Sequence, residues 1–192
     1  MNKESLPEGR FLSSFVRASE IPVDRPQICV LGRSNSGKSS FIARLMKNSS
    51  LVKTSSKPGS TITLNVFSWL HLYLVDLPGY GYAKRSHKER DQLSGIIHSY
   101  LEKKIPPVAG FMTIDCRRDL QKEELYLADL FKKKDIPLNL LLTKADKLNQ
   151  KQRSSAEKRF KDYAELFHLH EFISSTTGRG FDGLFNYLKT LG

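Results

Sequence analysis

The segment Gly32-Arg33-Ser34-Asn35-Ser36-Gly37-Lys38-Ser39 decides the fold of this chain. It fits the phosphate-binding pattern G-x-x-x-x-G-K-[ST]. The apolar run at 27–31 precedes it and predicts a buried strand, while apolar residues at helical spacing follow it over 38–47. A strand, a glycine loop and a helix in this order are the context that the pattern requires. The segment therefore predicts a nucleotide site in preference to a Gly/Ser-rich turn without a ligand.

The residue types of this loop suit phosphate oxygens. Glycines let backbone N–H groups turn inward, and the start of a helix adds about half a positive charge. We expect Lys38 to reach the β and γ phosphates and to act in catalysis, and Ser39 to give its hydroxyl to Mg²⁺.

A second motif, Asp76-Leu77-Pro78-Gly79, follows an apolar run at 69–75. A carboxylate at the end of a strand can hold the metal, directly or through water. Gly79 lacks a side chain, so its N–H can approach a γ-phosphate closely. By itself D-x-P-G is only a turn signal, and the phosphate loop upstream gives it weight.

Two further segments indicate which base is bound. Thr143-Lys144-Ala145-Asp146 matches the guanine-specificity motif [NT]-K-x-D, in which a carboxylate accepts two hydrogen bonds from guanine. Adenine lacks that donor pair, so Asp146 excludes ATP. Alone, the motif is more simply a solvated Lys/Asp turn. Ile173-Ser174-Ser175 resembles the segment whose backbone N–H, near its second residue, meets guanine O6.

The rest of the chain alternates between strand and helix patterns. Strands are predicted at 27–31, 62–67, 69–75, 108–114 and 137–142 and ending at 172–173, and helices at 38–47, 86–104, 120–134, 150–167 and 180–191. This pattern predicts an α/β fold of three layers, with a six-stranded, mainly parallel sheet and helices on both faces. With the four motifs above, such a fold resembles a P-loop NTPase G domain. Residues 25–192 are expected to form this single domain, and residues 1–24 an irregular arm packed on or flanking it.

Composition narrows the class of protein. The longest apolar run, 108–114, is too short to span a membrane, and the N-terminus has no apolar signal core, so we expect a cytoplasmic protein. Cys29 and Cys116 are expected to be buried thiols. The net charge of +11 favours a polyanionic partner and a Lys-rich soluble surface about equally. No acidic residue occurs between Asp24 and Asp76, and the helix at 150–167 carries five basic residues.

The four motifs occur in the order and strand-end positions of a Ras-like G domain. The loop 32–40, Ser56-Lys-Pro-Gly-Ser-Thr61, Asp76-Leu-Pro-Gly-Tyr-Gly-Tyr-Ala83, Thr143–Asp146 and Ser174-Ser175 together resemble the EngB family of bacterial GTPases over about residues 10–191. The resemblance implies slow GTP hydrolysis, a role in large (50S) ribosomal subunit assembly, and a requirement for normal septation in cell division. The residues that it assigns to GTP or GDP are Gly32, Arg33, Ser34, Asn35, Ser36, Gly37, Lys38, Ser39, Ser40, Gly59, Ser60, Thr61, Asp76, Leu77, Pro78, Gly79, Thr143, Lys144, Ala145, Asp146, Ile173, Ser174 and Ser175.

The resemblance also implies a metal site. It makes Ser39 and Thr61 ligands of Mg²⁺, with Asp76 bound through water, and it places Thr61 in catalysis. Many relatives carry Gln where this chain has Ile62, a departure that bears on the conformation of the loop around Thr61. Thr54 and Thr63 are weaker alternatives to Thr61.

Two positions bear on the hydrolysis step. Ras-type enzymes orient the attacking water with a Gln after the D-x-x-G glycine, and this chain has Tyr80 there. A phenol substitutes poorly for that Gln, so unassisted hydrolysis is expected to be slow. Some related GTPases bind K⁺ through the residue that corresponds to Asn35, where a fixed cation stabilises transition-state charge. The alternative is an Asn that only caps or braces the loop.

Three functions stay open at this stage. The first is a monomeric GTPase switch that binds the large ribosomal subunit or its precursor, contacting rRNA phosphates and ribosomal proteins. The second is a GTP-dependent interaction protein of the division machinery, in which hydrolysis matters little. The third is a nucleic-acid-binding module with a vestigial nucleotide site, against which the intact Lys38, Ser39, Asp76 and Asp146 argue.

Overall fold

The computed structural model describes residues 8–48, 62–81 and 87–191. The strands in these ranges are β1 (Arg10–Phe15), β2 (Gln27–Gly32), β3 (Leu64–Trp69), β4 (Leu72–Asp76), β5 (Ala109–Asp115), β6 (Leu138–Thr143) and β7 (Leu169–Phe172). The helices are α1 (Lys38–Leu45), α2 (His87–Leu101), α3 (Lys122–Lys133), α4 (Gln150–Lys161) and α5 (Phe181–Lys189).

All seven strands form one sheet in the order β1-β3-β4-β2-β5-β6-β7. Strands β4, β2, β5, β6 and β7 run parallel, and β3 runs antiparallel to both β1 and β4. The predicted α/β class and mainly parallel sheet are confirmed. The count of six strands was wrong, because the sheet has a seventh strand inside the predicted arm.

Strand β1 escaped prediction because it is an edge strand whose side chains are mostly exposed. Its sequence, RFLSSF, shows no alternation of apolar and polar residues. It is held by its pairing with β3 and by two side-chain contacts. The rings of Phe11 and Phe67 lie 5.6 Å apart, and Ser14 Oγ donates to Asn65 Oδ1 at 2.7 Å.

The sheet buries side chains on both of its faces. Helices α1 and α5 cover one face, where Phe41 and Phe181 pack with Val30 and Phe111. Helices α2, α3 and α4 cover the other, where Tyr100, Phe131 and Phe160 lie in one cluster with Leu31. Because successive residues of β2 serve opposite faces, the strand is buried throughout and reads as an unbroken apolar run.

The two cysteines are buried thiols, as expected. Cys29 and Cys116 are fully buried and free. Burial raises the pKa of both, that of Cys116 to about 11, so neither is a reactive thiolate at neutral pH.

The helix predicted over 150–167 is shorter in the structure. Helix α4 ends at Lys161, and a 3-10 turn at Ala164–Leu166 leads into β7. Within the ranges given above, no helix has both the length and the apolar character that crossing a membrane requires.

Candidate nucleotide site

The phosphate loop joins the carboxyl end of β2 to the first turn of α1. Gly37 stands immediately before the helix with φ +89°, a conformation that favours glycine. Gly32 has no room for a side chain, since a Cβ there would lie 2.2 Å from Thr113 Oγ1. Both glycines are therefore required by geometry, which supports the sequence interpretation of this loop.

Two buried threonines brace the loop from behind. Thr113 on β5 places its Oγ1 2.7 Å from Ser36 Oγ, and Thr143 Oγ1 lies 2.5 Å from the carbonyl oxygen of Ser36. Thr143 begins the predicted guanine motif, so its side chain ties that motif to the phosphate loop. Thr113 escaped prediction because a lone Thr in an apolar run gives no signal of its role.

Lys38 and Asp76 form an ion pair at the mouth of the loop. Their side chains are only 12% and 15% exposed. Asp76 is the last residue of β4, which pairs with β2, so the sheet itself brings the second motif to the first. A Cβ built on Gly79 would lie 3.5 Å from the carbonyl oxygen of Gly32, which places that glycine beside the loop as well.

The other members of these two motifs differ in exposure. Ser39 is partly buried and Ser40 is exposed. Leu77 is fully buried and its N–H donates to the carbonyl of Val30 at 2.9 Å, so its side chain belongs to the core. Pro78 lies partly exposed between Leu77 and Gly79.

The oxygen atoms present fit a hard divalent cation. Mg²⁺ prefers hydroxyl, carboxylate and phosphate oxygens, and Ser39 and Asp76 supply the first two beside the loop. Lys38 neutralises Asp76 in this conformation. The predicted residues Gly59, Ser60 and Thr61, and the alternative Thr54, lie outside the described residues.

The guanine motif closes the other side of the loop. Lys144 has φ +60°, and its Nζ donates to the carbonyl of Asn35 at 2.8 Å and lies 3.1 Å from Asp115 Oδ2. Burial tends to raise the pKa of Asp115, yet hydrogen bonds from Arg117 and Lys144 outweigh it and hold that pKa well below its ordinary value. Asp115 is thus ionised at neutral pH and holds Lys144 next to the phosphate loop.

Asp146 is held ready to accept hydrogen bonds. Ser174 Oγ donates to its Oδ1 at 2.6 Å, and this bond lowers the pKa of the carboxyl below its ordinary value. The N–H of Ala145 donates to the carbonyl of Ile173 at 3.1 Å, which joins the ends of β6 and β7. The structure therefore brings the third and fourth motifs together, as their strand-end positions predicted.

The fourth motif leaves one backbone donor for a base. The N–H of Ser174 is engaged with the carbonyl of Arg179 at 3.0 Å. The next donor along the chain is the N–H of Ser175, which makes no hydrogen bond within the part of the chain that the structure describes.

The backbone of Tyr80 is bonded to the phosphate loop, since its carbonyl accepts from the N–H of Ser34 at 3.3 Å, but its side chain lies in the core. It is 7% exposed and packs in the core under α2 and α3. Among the described residues its hydroxyl finds no hydrogen-bond partner. Burial, and then the charge of Glu124, raise its pKa far above the ordinary value. A buried phenol is poorly placed to orient a water on a γ-phosphate, and slow unassisted hydrolysis stays a prediction.

The side chain of Arg33 points from the phosphate loop toward helix α3. It lies 3.2 Å from Glu123 and 3.3 Å from Glu124 at the start of α3. Gly81 has φ +78°, and a Cβ there would lie 2.4 Å from Arg33 Nε. Arg33, Arg117 and Arg118 line a cleft of about 360 Å³ next to the loop. The acids of α3 were missed because their spacing is that of an ordinary solvated helix face.

Comparisons with known proteins agree with this geometry. A family model described as a 50S ribosome-binding GTPase matches residues 27–144. The probable GTP-binding protein EngB of Oceanobacillus iheyensis is 37% identical over 180 residues, covering 92% of each chain. That of Desulforapulum autotrophicum is 45% identical over 170 residues, covering 86% of each. The crystal structure of a probable GTP-binding protein engB matches with a TM-score of 0.68 and 22% identity, covering 85% of this chain and 96% of its own.

Fold and site together define a P-loop GTPase of the G-domain class, which binds guanine nucleotides and hydrolyses GTP. The sequence relatives narrow this further. The chain belongs to the EngB family of GTP-binding proteins.

Proposed function

We propose that this GTPase is a switch that acts in the assembly of the large ribosomal subunit and is needed for normal septation. The observation that carries the proposal is the intact site: Lys38 and Asp76 meet at the loop mouth, and Ser174 holds Asp146 at its other side. A 50S ribosome-binding GTPase is also what the matching family model describes.

The Lys38–Asp76 pair suggests how the site responds to a nucleotide. A triphosphate competes for the ammonium of Lys38, because phosphate oxygens carry more charge than one carboxylate. Asp76 would then be free to help hold Mg²⁺ through water. Ser39, Thr61 and, through water, Asp76 would hold Mg²⁺, which would neutralise charge on the phosphates. The chain's own residues bind and orient the nucleotide. Lys38 exchanges its ion pair with Asp76 for one with the phosphates.

Asn35 is proposed as a K⁺ ligand. It is exposed at the turn of the loop with φ +63°, and its side chain makes no hydrogen bond to any described residue. Its backbone carbonyl oxygen accepts a hydrogen bond from Lys144 Nζ, so its side-chain oxygen is the atom that could coordinate a cation. A cation fixed there would stabilise charge that develops on the phosphates.

Fewer basic side chains are available to bind rRNA than the number of Lys and Arg residues implies, because several are paired with acids. In the acid-free segment, Lys38 pairs with Asp76 and Arg33 with Glu123 and Glu124. Lys53 and Lys57 lie outside the described residues. On α4, Arg153 pairs with Glu157 at 2.8 Å and Arg159 with Asp119 at 2.7 Å. The exposed lysines of α4, which we call the α4 lysine face, are Lys151, Lys158 and Lys161.

We further propose that the protein works in the cytoplasm as a monomer. Residues 25–192 form the single G domain in this proposal. In the same proposal residues 1–24 are an arm that flanks the domain, and within it Arg10–Phe15 add β1 to the sheet.

Pull-down of precursor ribosomal particles tests the function. Binding to large-subunit precursors that depends on whether GDP, a non-hydrolysable GTP analogue or no nucleotide is present supports the proposal. Absence of such binding, with capture of division proteins instead, favours the interaction protein. An Asp146→Asn variant is the control, since it should lose guanine dependence and gain xanthine dependence if this site governs binding.

A salt titration tests the α4 lysine face. Each phosphate contact adds about one unit to the slope of log K against log salt concentration. Replacing Lys151, Lys158 and Lys161 by Ala should therefore lower the slope by about 2 to 3 units. The matched control replaces the exposed Lys122, Lys132 and Lys189, removing the same charge elsewhere. Equal effects of the two triple variants would contradict the assignment.

A further inference from the structure

Arg44 reaches from the phosphate-loop helix to the loop that follows β7. It lies on α1, and its Nη1 donates to the carbonyl of Ser175 at 3.1 Å and lies 3.4 Å from that of Thr176. Its guanidinium carbon sits 5.7 Å from the ring centroid of Phe181. Phe181 is 2% exposed and starts α5, so the arginine rests on a fixed platform.

The loop is shaped to receive this side chain. Gly178 has φ +85°, and a Cβ there would lie 2.2 Å from Arg44 Nη2. A side chain at position 178 would therefore displace the guanidinium. The N–H of Gly178 donates to the carbonyl of Ser174 at 2.8 Å, and that of Thr177 to Ser174 Oγ at 3.1 Å. Arg44 thus contacts this loop from its solvent side, while hydrogen bonds to Ser174 hold the loop from within.

These contacts hold the loop segment whose unengaged N–H would face a base. The carbonyl of Ser175 that Arg44 holds belongs to the residue whose N–H is the unengaged donor. The neighbouring Ser174 supports Asp146 through its hydroxyl. The Ser175 N–H lies in the same peptide plane as the carbonyl of Ser174, which accepts from the N–H of Gly178. Arg44 packs against Gly178 and holds the following carbonyl, that of Ser175, so it fixes the loop on both sides of this peptide plane.

We propose that Arg44 is a positioning residue for guanine recognition, which orients the Ser175 N–H toward O6 of the base. This inference rests on the proposed role of the segment 173–175. Arg44 acts through backbone carbonyls and does not itself touch the nucleotide. Its partners are Ser175, Thr176 and Phe181.

The test compares GDP with 6-thio-GDP, whose sulfur is a weaker hydrogen-bond acceptor than O6. In Arg44→Ala, GDP affinity should fall about three- to tenfold, the scale of one modest hydrogen bond. Affinity for 6-thio-GDP should fall less, so the preference for GDP shrinks. Arg44→Lys keeps the charge and the stem on Phe181 and should lie between. Arg179→Ala is the matched control, because it removes an exposed positive charge from the same loop.

Each outcome decides between the possibilities. Equal losses for the two nucleotides in Arg44→Ala, or the same behaviour in Arg179→Ala, would overturn the role of Arg44. An Arg44→Ala variant that loses no affinity and keeps the full preference for GDP would also overturn this role. If the unmodified protein binds GDP and 6-thio-GDP equally, the proposed contact between segment 173–175 and O6 is itself wrong. The melting temperature of the nucleotide-free variants shows whether folding is intact, and Arg44→Lys serves if Arg44→Ala does not fold.

Discussion

Arg33 Nε and Glu124 Oε1 lie 3.3 Å apart without the geometry of a hydrogen bond, and Glu124 is 1% exposed. The other oxygen of Glu124 accepts from the N–H of Gln121 at 2.8 Å at the start of α3. One buried carboxylate therefore caps a helix and neutralises an arginine of the phosphate loop.

We expect Glu124→Gln to lower the free energy of unfolding by about 2 kcal/mol, because it removes the buried one of the two carboxylates that neutralise the partly buried guanidinium of Arg33. Glu123→Gln, at a 55% exposed partner of the same arginine, should change it by less than about 0.5 kcal/mol. Urea unfolding measures both. Similar losses in the two variants would show that burial of Glu124 is not the cause.

Tyr80→Phe removes a buried hydroxyl that makes no hydrogen bond to any described residue. The free energy of unfolding should stay level or rise, by up to about 1 kcal/mol, because no bond is lost. The kcat for GTP should stay within about twofold, since a side chain in the core touches no reacting atom. Tyr80→Gln should likewise fail to accelerate hydrolysis. A large gain with Gln would mean that this position does face the γ-phosphate.

Removal of Mg²⁺ should weaken nucleotide binding, and this effect should depend on Asp76. With the unmodified protein, EDTA is expected to speed GDP release about tenfold or more, because metal bound only to the complex stabilises it. In Asp76→Asn the acceleration should shrink to about twofold, which stopped-flow fluorescence can measure. Asp119→Asn changes an exposed carboxylate that pairs with Arg159 and should respond to EDTA like the unmodified protein.

Ser174→Ala removes the hydrogen bond that holds Asp146. GDP affinity should fall about three- to tenfold, which calorimetry measures. The pKa of Asp146 should rise toward its ordinary value, since that bond is the main cause of its lowering. Because the ionised carboxylate is the form that accepts from guanine, loss of binding on acidification should begin at a higher pH in this variant. Ser175→Ala leaves the bond intact and should behave like the unmodified protein.

Potassium tests the role of Asn35. Turnover should be faster in KCl than in NaCl at equal ionic strength, and Asn35→Gly should abolish the difference. Glycine is the suitable replacement, because the backbone here has φ +63° and glycine adopts it freely. Equal rates in both salts for the unmodified protein would refute a K⁺ site.

The nucleotide site could be predicted from the sequence because each motif directly follows a strand. Gly32, Asp76 and Thr143 end β2, β4 and β6 and Ile173 follows β7, and parallel strands place such ends at one edge of the sheet. The spacing of Gly32, Gly37 and Lys38 then gives the chemistry. Nothing comparable marked β1, whose exposed side chains leave no periodic pattern.

By itself, then, the sequence determined the class of fold and the nucleotide, and it predicts the residues at the phosphates. Tertiary structure alone decided which charges remain free. It paired Arg33 with Glu124, 91 positions away, and Arg159 with Asp119, and it set Arg44 on the carbonyl of Ser175. The physical reason is that short motifs are local, whereas ion pairs and loop contacts depend on which elements the fold packs side by side. Thus the charge of +11 acquires its functional meaning only when the internal partners of each arginine and lysine are known.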